Sequence, residues 1–420
     1  MAYIGIDLGT SGLRALLVDD HGVSIGSAEA HYAVQNPHVG WSEQDPASWI
    51  SALHLAMSEL RQKFPEFSRV RGIGVAGHMH GAVLLDADWA VLRPCILWND
   101  TRSHQEADML DAIPDFRAKS GNIVFAGFTA PKLEWVRRNE PQIFEKTAMV
   151  LLPAAYLNLY LTGQAVGDVS DAAGTAWLDT GAREWSQALL CLGNMEQSQM
   201  ARLVEGCAPA GTLRAALGDE WGLGADVIVA GGAADNAAAA CGMGVMRAGQ
   251  GFVSLGTSGV VLAASDAYTP NAASAVHTFC HAVPDQWYQM GVMLAATDSL
   301  NWLSQITGLS PSDLVDELGT TPDGPSGLVF VPYLSGERTP HNDTAIRGGF
   351  AGLSKSTTRA NMTQAVLEGV CFGLRDCLEA IRESGTVPTT LYAIGGGSAS
   401  EYWLRLLASV LNISLLRPAG

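Results

Sequence analysis

The five residues Leu-Gly-Thr-Ser-Gly occur twice in this chain, at positions 8 to 12 and at positions 255 to 259. Each copy lies between two short apolar runs, which predicts two strands joined by a glycine turn. Such a turn can point backbone N–H groups and hydroxyl oxygens at an anion, because glycine accepts the positive φ that an anion-binding nest requires. One copy alone is typical of an ordinary hairpin. Two identical copies favour two halves that bind one phosphate chain.

The length and composition indicate a globular protein of two domains. The chain has 420 residues, of which 48% are hydrophobic and 16% are charged. This length is sufficient for two or three domains, and the spacing of the repeat favours two, at residues 1–247 and 248–420. The formal net charge of −17 disfavours nucleic acid and acidic membrane surfaces as partners. A metal ion would therefore have to mediate the binding of a polyanion.

The cysteines and the apolar runs indicate the cellular compartment of the protein. The seven cysteines are scattered and lack Cys-x-x-Cys spacing, which is typical of small buried hydrophobic residues in a reducing compartment. No run approaches the roughly 18 apolar residues of a membrane span, and no basic leader precedes the first strand. We therefore expect a cytoplasmic protein without a membrane partner.

Met79 and His80 follow Gly77 and His78 at the end of an apolar strand predicted for residues 70 to 76. Residues at the carboxyl end of a central strand face the ligand crevice in open α/β sheets. Two histidines stand two positions apart here, but no carboxylate lies beside them, so a metal site is disfavoured. Contact with a ligand and a plain surface loop remain equally open.

Trp98 begins a polar segment after a strand-like run and precedes Asn99 and Asp100. An apolar ring face beside an amide and a carboxylate is what a sugar site offers. A half-buried tryptophan in front of a helix cap is an equally good interpretation.

Asp235 stands where the strand predicted for residues 227 to 230 gives way to an alanine-rich helix. The helix dipole should hold this carboxylate ionised at neutral pH. A plain N-cap is the commoner role for such an aspartate, but the second repeated turn begins about 20 residues later, which favours a functional site.

Other segments carry structural signals. Asp45 before Pro46 predicts a helix start, and an apolar stripe predicts the longest helix from about residue 359 to 384. Residues 163 to 175 and 206 to 211 are predicted loops. Residues 334 to 341 are too polar for a core segment and form either a solvated loop or part of a site.

Together these motifs resemble the FGGY carbohydrate kinases of the actin-like ATPase superfamily, over residues 3 to about 416. The matches are the first phosphate motif at residues 7–12, the first family signature at 127–139, the second phosphate motif at 254–259, the start of the second signature at 349 and the adenosine motif at 395–398. Residues 79–81, 98–100, 235–236 and 334–341 resemble the members that phosphorylate a ketopentose. Members that act on glycerol carry Arg-Glu at the positions of Met79 and His80.

The resemblance implies an α/β fold of two ribonuclease H-like domains with a catalytic cleft between them that binds ATP and a sugar. It implies ATP-dependent phosphorylation of D-xylulose on its terminal hydroxyl. Ribulose, gluconate or another polyol is the alternative substrate. From a different class, the chain could be a non-catalytic sugar-binding regulatory protein, although the retained Asp7 and Asp235 speak against it.

The resemblance also implies roles for individual residues. Asp235 is the catalytic base, and Asp7 is the metal residue that organises Mg²⁺. An aspartate of ordinary pKa is expected to suffice as the base, because phosphoryl transfer is largely dissociative. The sugar-binding positions are Met79, His80, Trp98, Asp235 and Asn236, with Phe128 as a further sugar-facing position. The ATP-binding positions are Thr10, Ser11, Arg14, Gly256, Thr257, Gly396, Gly397 and Ser398.

The two repeated turns are predicted to differ in function, because Ser254 stands where the first copy has Asp7. Only the first copy can then bring a carboxylate to a metal ion. Family members also continue for some tens of residues beyond the strand predicted at residues 413 to 416. We therefore expect a C-terminal domain that is truncated, or one whose exposed edge a partner covers, for example in a homodimer.

Overall fold

The repeated phrase forms two hairpins, one in each of the two compact units of the computed structural model, which describes residues 1 to 418. The first unit contains Met1–Cys241 and a short later segment, Phe279–Asp285. The second unit contains Gly242–Thr278 and residues 286 to 418. The later segment of the first unit has no signal in the sequence, since it reads as an ordinary continuation of the second half.

The first unit is a mixed α/β unit. Its strands are β1 (Ala2–Leu8), β2 (Gly12–Asp19), β3 (Ser24–His31), β4 (Glu43–Gln44), β5 (Val70–Gly77), β6 (Val83–Leu85), β7 (Cys95–Ile96), β8 (Met149–Leu151), β9 (Val166–Asp168), β10 (Leu178–Asp179), β11 (Glu184–Trp185), β12 (Arg202–Val204), β13 (Pro209–Thr212), β14 (Ile228–Ala230) and β15 (Ala233–Ala234). Its helices are α1 (Pro46–Lys63), α2 (His104–Asp111), α3 (Pro114–Ser120), α4 (Thr129–Asn139), α5 (Pro141–Lys146), α6 (Pro153–Thr162), α7 (Val169–Ala172), α8 (Gln187–Leu192), α9 (Ala215–Trp221) and α10 (Asp235–Gly242), with 3-10 turns at Pro65–Arg69, Ala173–Thr175 and Gln197–Gln199.

The main sheet of the first unit has the strand order β13-β14-β5-β1-β2-β3, and β15 pairs with the end of β5. The β1, β2 and β3 strands are antiparallel, whereas β5 is parallel to β1 and to β14. Helix α1 begins as predicted, with the Asp45 side chain accepting a hydrogen bond from the Ala47 N–H. Its apolar face, which includes Trp49 and Leu53, is fully buried in the same core cluster as β1 and β2.

The second unit is also a mixed α/β unit. Its strands are β16 (Gln250–Leu255), β17 (Gly259–Ser265), β18 (His277–Cys280), β19 (Trp287–Met293), β20 (Val329–Val331), β21 (Gly349–Ala351), β22 (Thr390–Ile394) and β23 (Ser414–Leu416). Its helices are α11 (Thr297–Thr307), α12 (Pro311–Asp316), α13 (Arg359–Glu383) and α14 (Glu401–Leu411), with 3-10 turns at Ala272–Ser274 and Gly396–Ala399. The long helix α13 confirms the predicted apolar stripe, of which Val366, Val370 and Leu374 are fully buried.

The two main sheets share the same order of antiparallel and parallel strand pairs. The second sheet has the order β18-β19-β17-β16-β22-β23, in which β19, β17 and β16 are antiparallel and β22 and β23 continue in parallel to β16. The strands β3-β2-β1-β5-β14 of the first unit pair in the same sequence of directions. The prediction of two related α/β domains is therefore confirmed, and the structure shows that both main sheets are mixed.

The two predicted loops are wrong in part. Residues 163 to 175 contain β9 and α7, because the Asp168 side chain caps α7 by accepting from the N–H groups of Ser170 and Asp171. Residues 206 to 211 run into β13, which pairs antiparallel with β14. Short elements of three or four residues are set by these tertiary contacts rather than by local propensity.

Within residues 1 to 418, no helix has the length and apolar character that crossing a bilayer would require.

Candidate active site

Three candidate site elements of the first unit meet at one edge of its main sheet. In the strand register, Asp7 of β1 lies level with Ala76 of β5, and Ala76 lies level with Ala233 of β15. Because the three strands are parallel, their carboxyl ends lie side by side. The turn that carries His80 follows β5, and Asp235 follows β15. The topology therefore brings together residues that are more than 200 positions apart in the sequence.

Asp235 is a partly buried carboxylate whose pKa is shifted towards neutral pH. Its Oδ1 accepts hydrogen bonds from the Asn236 backbone N–H at 2.6 Å and from Asn236 Nδ2 at 2.9 Å. Burial raises the pKa of Asp235 to about 6, and the charge of Asp7 adds to this, while the bonds from Asn236 oppose it. Desolvation thus outweighs the stabilising donors, so the pKa lies above the ordinary value with which the base was expected to suffice. Above pH 6 the carboxylate is still ionised and able to accept a proton.

A buried acidic network lies beside Asp235. The Ser170 hydroxyl donates to Asp168 Oδ1 and accepts from the Ala234 N–H at 3.0 Å, so it anchors the residue that precedes Asp235. Asp171 is 2% exposed, and no group in the described part of the chain donates to its carboxylate. Burial, together with the charges of Asp168 and Asp235, raises the pKa of Asp171 well above its usual value. Sequence reasoning missed these residues because their segment was taken for a loop.

His80 has a fixed backbone and a fixed tautomer. It is a non-glycine residue with a φ of 70°. This conformation costs an L-residue free energy and persists only where the surrounding structure imposes it. His80 Nδ1 lies 2.6 Å from the Gly174 carbonyl oxygen. Since a carbonyl only accepts, Nδ1 carries the proton, and Nε2 of the neutral ring is an acceptor. The ring stacks on Phe128, with centroids 4.7 Å apart and planes 13° apart.

Gly174 lies tightly against both predicted sugar contacts on the β5 turn. A Cβ at position 174 would come within 2.6 Å of His80 Nδ1 and 2.8 Å of Met79 Cε. Met79 is itself 4% exposed, and Phe128 is 2% exposed behind the His80 ring. The Phe279 ring, which returns from the later segment, lies 6.2 Å from His80. His80 and Met79 are therefore held by a packed wall rather than by a mobile loop.

The first repeated turn is braced on several sides. The Gly9 N–H donates to the Gly12 carbonyl at 3.0 Å, and the Tyr32 hydroxyl donates to the Gly9 carbonyl at 2.6 Å. Trp98 Nε1 donates to Thr10 Oγ1 at 3.0 Å, which ties the predicted sugar-facing tryptophan to this turn. Trp98 remains 47% exposed, so an indole face is accessible. These bonds fix the shape of the turn that carries Thr10 and Ser11.

Asp7 and Arg14 face each other across the first hairpin. Both side chains are exposed. Desolvation still raises the pKa of Asp7, while Arg14 opposes the rise. The Arg14 guanidinium donates to Glu29 at 3.0 Å, and an exposed pair of this kind contributes little, so Arg14 can exchange partners for a phosphate. Ser11 is exposed on the same turn.

The structure corrects two details of the repeated turns. None of their glycines has a positive φ, so the predicted nest geometry is wrong. Gly12 is required instead for close approach, because a Cβ there would lie 2.9 Å from His31 Nδ1. The two copies also differ in register, since Leu8 pairs with Leu13 whereas Leu255 pairs with Gly259. Identical sequences therefore form turns of different length.

The second repeated turn is held by the start of α11. The Gly256 carbonyl accepts from the Thr297 N–H at 2.9 Å and from its hydroxyl at 2.8 Å, and the Thr257 carbonyl accepts from the Ala296 N–H at 2.9 Å. These bonds occupy the carbonyl oxygens on one side of the turn. The Thr257 side chain is exposed and available to a ligand.

A cavity of about 570 Å³ lies within the second unit, next to the glycine-rich turn after β22. Its lining residues are Thr297, Leu300, Asn301, Pro311, Ser312, Val315, Asp316, Gly319, Thr320, Gly396, Gly397, Ala399, Ser400, Glu401, Tyr402 and Trp403. The size and the mixture of apolar and polar groups suit a flat heterocycle with hydroxyl groups. Ser398 is not part of the lining, and its hydroxyl donates to the Gly395 carbonyl at 2.7 Å.

Several cavity residues carry no sequence signal, because Leu300, Val315 and Trp403 lie on helices whose apolar pattern reads as ordinary core. One carboxylate in each of two polar segments is bonded to protein groups. Glu337, in the segment left open between loop and site, is 2% exposed and accepts from the Leu294 N–H at 3.0 Å. The Asp100 carboxylate binds the Ser42 N–H and the Arg102 guanidinium rather than facing solvent.

The described residues contain no group of three or more metal-ligating side chains that would hold an ion unaided. Hard oxygen ligands are nevertheless present in Asp7 and Asp235, whose charges interact. Mg²⁺ is typically bound by one or two carboxylates together with phosphate oxygens and water. The donor set therefore fits a magnesium ion that arrives with a nucleotide.

The two α/β units, one with the partly buried Asp235 carboxylate and the other with a cavity of about 570 Å³, are consistent with a sugar phosphotransferase. Family comparison agrees, and the chain belongs to the FGGY family of carbohydrate kinases. The N-terminal domain of that family matches residues 2–242, and its C-terminal domain matches residues 251–420.

The chain is also similar to individual named proteins. The chain is 44% identical to the xylulose kinase of Escherichia coli K12 over 97% of its own length and 84% of that protein. It is 57% identical to a "xyloylose kinase" from Brucella ovis, whose crystal structure matches with a TM-score of 0.99 over 100% of this chain and 87% of that one. A xylulose kinase from Rhodospirillum rubrum matches with a TM-score of 0.93 at 30% identity, over 99% of this chain and 86% of that one.

Proposed function

We propose that this chain transfers the γ-phosphoryl group of ATP to O5 of D-xylulose. The observation that carries the proposal is the meeting of Asp7, the His80 turn and Asp235 at one sheet edge. The high identity to proteins named xylulose kinase supports the choice of ketose.

The sugar would bind in the first unit, on the fixed wall formed by Met79 and His80. His80 Nε2 is the acceptor nitrogen of its ring and would accept from a sugar hydroxyl. The exposed face of Trp98 would cover the apolar C–H surface of the ketose. Asn236, which already donates to Asp235 Oδ1, would keep that carboxylate oriented and contact a neighbouring hydroxyl.

Asp235 would act as the general base. With Oδ1 held by Asn236, its Oδ2 would accept the proton of the O5 hydroxyl as O5 forms its bond to the γ-phosphorus. The bond between that phosphorus and the β–γ bridging oxygen breaks, and ADP leaves. A pKa of about 6 suits this role, because the base is ionised at neutral pH and still has appreciable proton affinity.

In the first unit, Thr10, Ser11 and Arg14 of the first repeated turn would contact phosphate oxygens of the nucleotide. In the second unit, the second repeated turn offers Gly256 and Thr257 for the same kind of contact. The Asp7 carboxylate would hold Mg²⁺. When bound, this ion neutralises charge that develops on the phosphate oxygens.

The adenosine would occupy the cavity of the second unit. Gly396 and Gly397 would allow the nucleoside to approach the backbone, with Leu300 and Val315 packing against the adenine ring. Ser398 would contribute by shaping the turn through its bond to Gly395.

A coupled assay of ADP release tests the proposal across D-xylulose, D-ribulose, L-ribulose, gluconate and glycerol. We expect turnover with D-xylulose at the highest kcat/KM and a 5-phosphate product by ³¹P NMR. A higher kcat/KM with gluconate or ribulose would reassign the substrate. Sugar binding by calorimetry without ADP release from any compound would instead favour a non-catalytic sugar-binding protein.

A further inference from the structure

Lys132 is an ionisable residue buried inside the first unit. It lies on α4 and is 0% exposed. In the described part of the chain, no carboxylate lies within ion-pair distance of its amine. Its partners are two backbone carbonyls, of His80 at 2.7 Å and of Gly127 at 2.6 Å. Burying an amine without a counter-ion is costly, and burial lowers the pKa of Lys132 to about 7.

The two carbonyls belong to the two segments that carry stacked rings. His80 holds its backbone at a φ of 70°, and its carbonyl also accepts from the Thr129 hydroxyl at 3.2 Å. Gly127 directly precedes Phe128, whose ring stacks on His80. One amine therefore connects the turn after β5 to the start of α4, and the aromatic pair spans the same two segments.

We propose that Lys132 is a positioning residue for sugar binding, whose amine fixes the backbone of His80 and thereby aims its imidazole at the ketose. The inference rests on the proposed function, since it concerns the same sugar site. The amine itself does not touch the sugar, because Lys132 is 0% exposed and its bonds go to carbonyls on the protein. A neutral amine has two N–H donors and the ammonium has three, so either form can make both bonds.

A purely structural lysine would behave differently from a positioning one. Lys132→Met keeps the length of the side chain and removes the donors. If Lys132 only supports the fold, the variant loses thermal stability while the ketose KM of the folded fraction is unchanged. If it positions His80, the ketose KM rises at least tenfold, kcat changes less than threefold, and the KM for ATP stays within twofold of wild type.

Two further variants test whether the change in ketose KM comes from the contact with the His80 carbonyl. Thr129→Val removes the second donor to the His80 carbonyl without altering a charge, and we expect a two- to fivefold rise in ketose KM. Lys63→Met is the matched control, because Lys63 is exposed and, within residues 1 to 418, pairs only with Glu59 in its own helix. It should leave both KM values unchanged.

The test measures ketose and ATP kinetics, ketose binding by calorimetry and thermal unfolding of wild type and the three variants. Addition of propylammonium to Lys132→Ala should also lower the ketose KM by restoring an amine. Unchanged ketose affinity in folded Lys132→Met would overturn the inference. If that variant does not fold, unchanged affinity in Thr129→Val would do so. Failure of the proposed function is distinct, because the wild type itself would then lack ketose turnover.

Discussion

The replacement of Gly174 by alanine should damage ketose binding without touching a catalytic group. The added Cβ would lie 2.6 Å from His80 Nδ1, 2.7 Å from His80 Cε1 and 2.8 Å from Met79 Cε. Ordinary contacts between such atoms are about 3.5 to 4.0 Å, so the imidazole must withdraw by roughly 1 Å. A misplacement of about 1 Å in a site of this kind can cost on the order of 100-fold in kcat/KM. Overpacking should also cost about 1–3 kcal/mol of stability.

The assay titrates D-xylulose in a coupled ADP-release measurement, with thermal unfolding in parallel. We expect the ketose kcat/KM to fall by about 10- to 100-fold, since the withdrawn ring also weakens the 2.6 Å bond from Nδ1 to the Gly174 carbonyl. Gly349→Ala is the matched control, because a Cβ there meets no atom within 4 Å. A Gly174→Ala enzyme with wild-type ketose kinetics would refute the placement of His80 and Met79 in the sugar site.

Three further predictions concern protonation and the nucleotide. Because burial raises the pKa of Asp235 to about 6 and the base must be ionised, kcat/KM should fall about tenfold per pH unit below that value; a flat profile from pH 7 to 5 would exclude Asp235 as the base. For Lys132 the folded pKa of about 7 lies below its ordinary 10.5, so the unfolded chain binds more protons between these values. The stability of wild type relative to Lys132→Met, measured by urea unfolding, should therefore rise with pH by up to about 1.4 kcal/mol per unit in that window and level off below pH 7, where both states bind the proton; a pH-independent difference would contradict the buried amine. Gly396→Val adds a side chain in open space at the cavity of the second unit, and should raise the KM for ATP at least tenfold while leaving the ketose KM and the melting temperature unchanged; an equal rise in both KM values would contradict the assignment of this cavity to the nucleotide.

The hairpins and the long helices could be predicted from the sequence because their signals are local. The cap of α1 by Asp45 and the buried stripe of α13 follow from side-chain type and spacing alone. The meeting of Asp7, His80 and Asp235 could be anticipated only because each follows or ends a strand. Their common edge depends on the parallel order of β1, β5 and β15.

Other parts of the site have no local signal. Nothing in the composition of residues 163 to 175 shows that Asp168 caps a helix, that Asp171 is buried or that Gly174 packs against His80. The pKa of Asp235 is raised by burial, which the local signal of a helix N-terminus does not reveal. Tertiary contacts also determine the shape of the repeated turns, because their identical residues adopt different registers in different surroundings.

The most direct measurement is D-xylulose-dependent ADP release by wild type and by Asp235→Asn, with ketose binding followed by calorimetry and the product identified by ³¹P NMR. We expect wild type to form a ketose 5-phosphate, and Asp235→Asn to bind D-xylulose within a fewfold of wild type while its kcat falls by about 10²- to 10⁴-fold. Undiminished turnover in the variant, or no phosphorylated product from folded wild type, would contradict Asp235 as the base of a xylulose-phosphorylating enzyme.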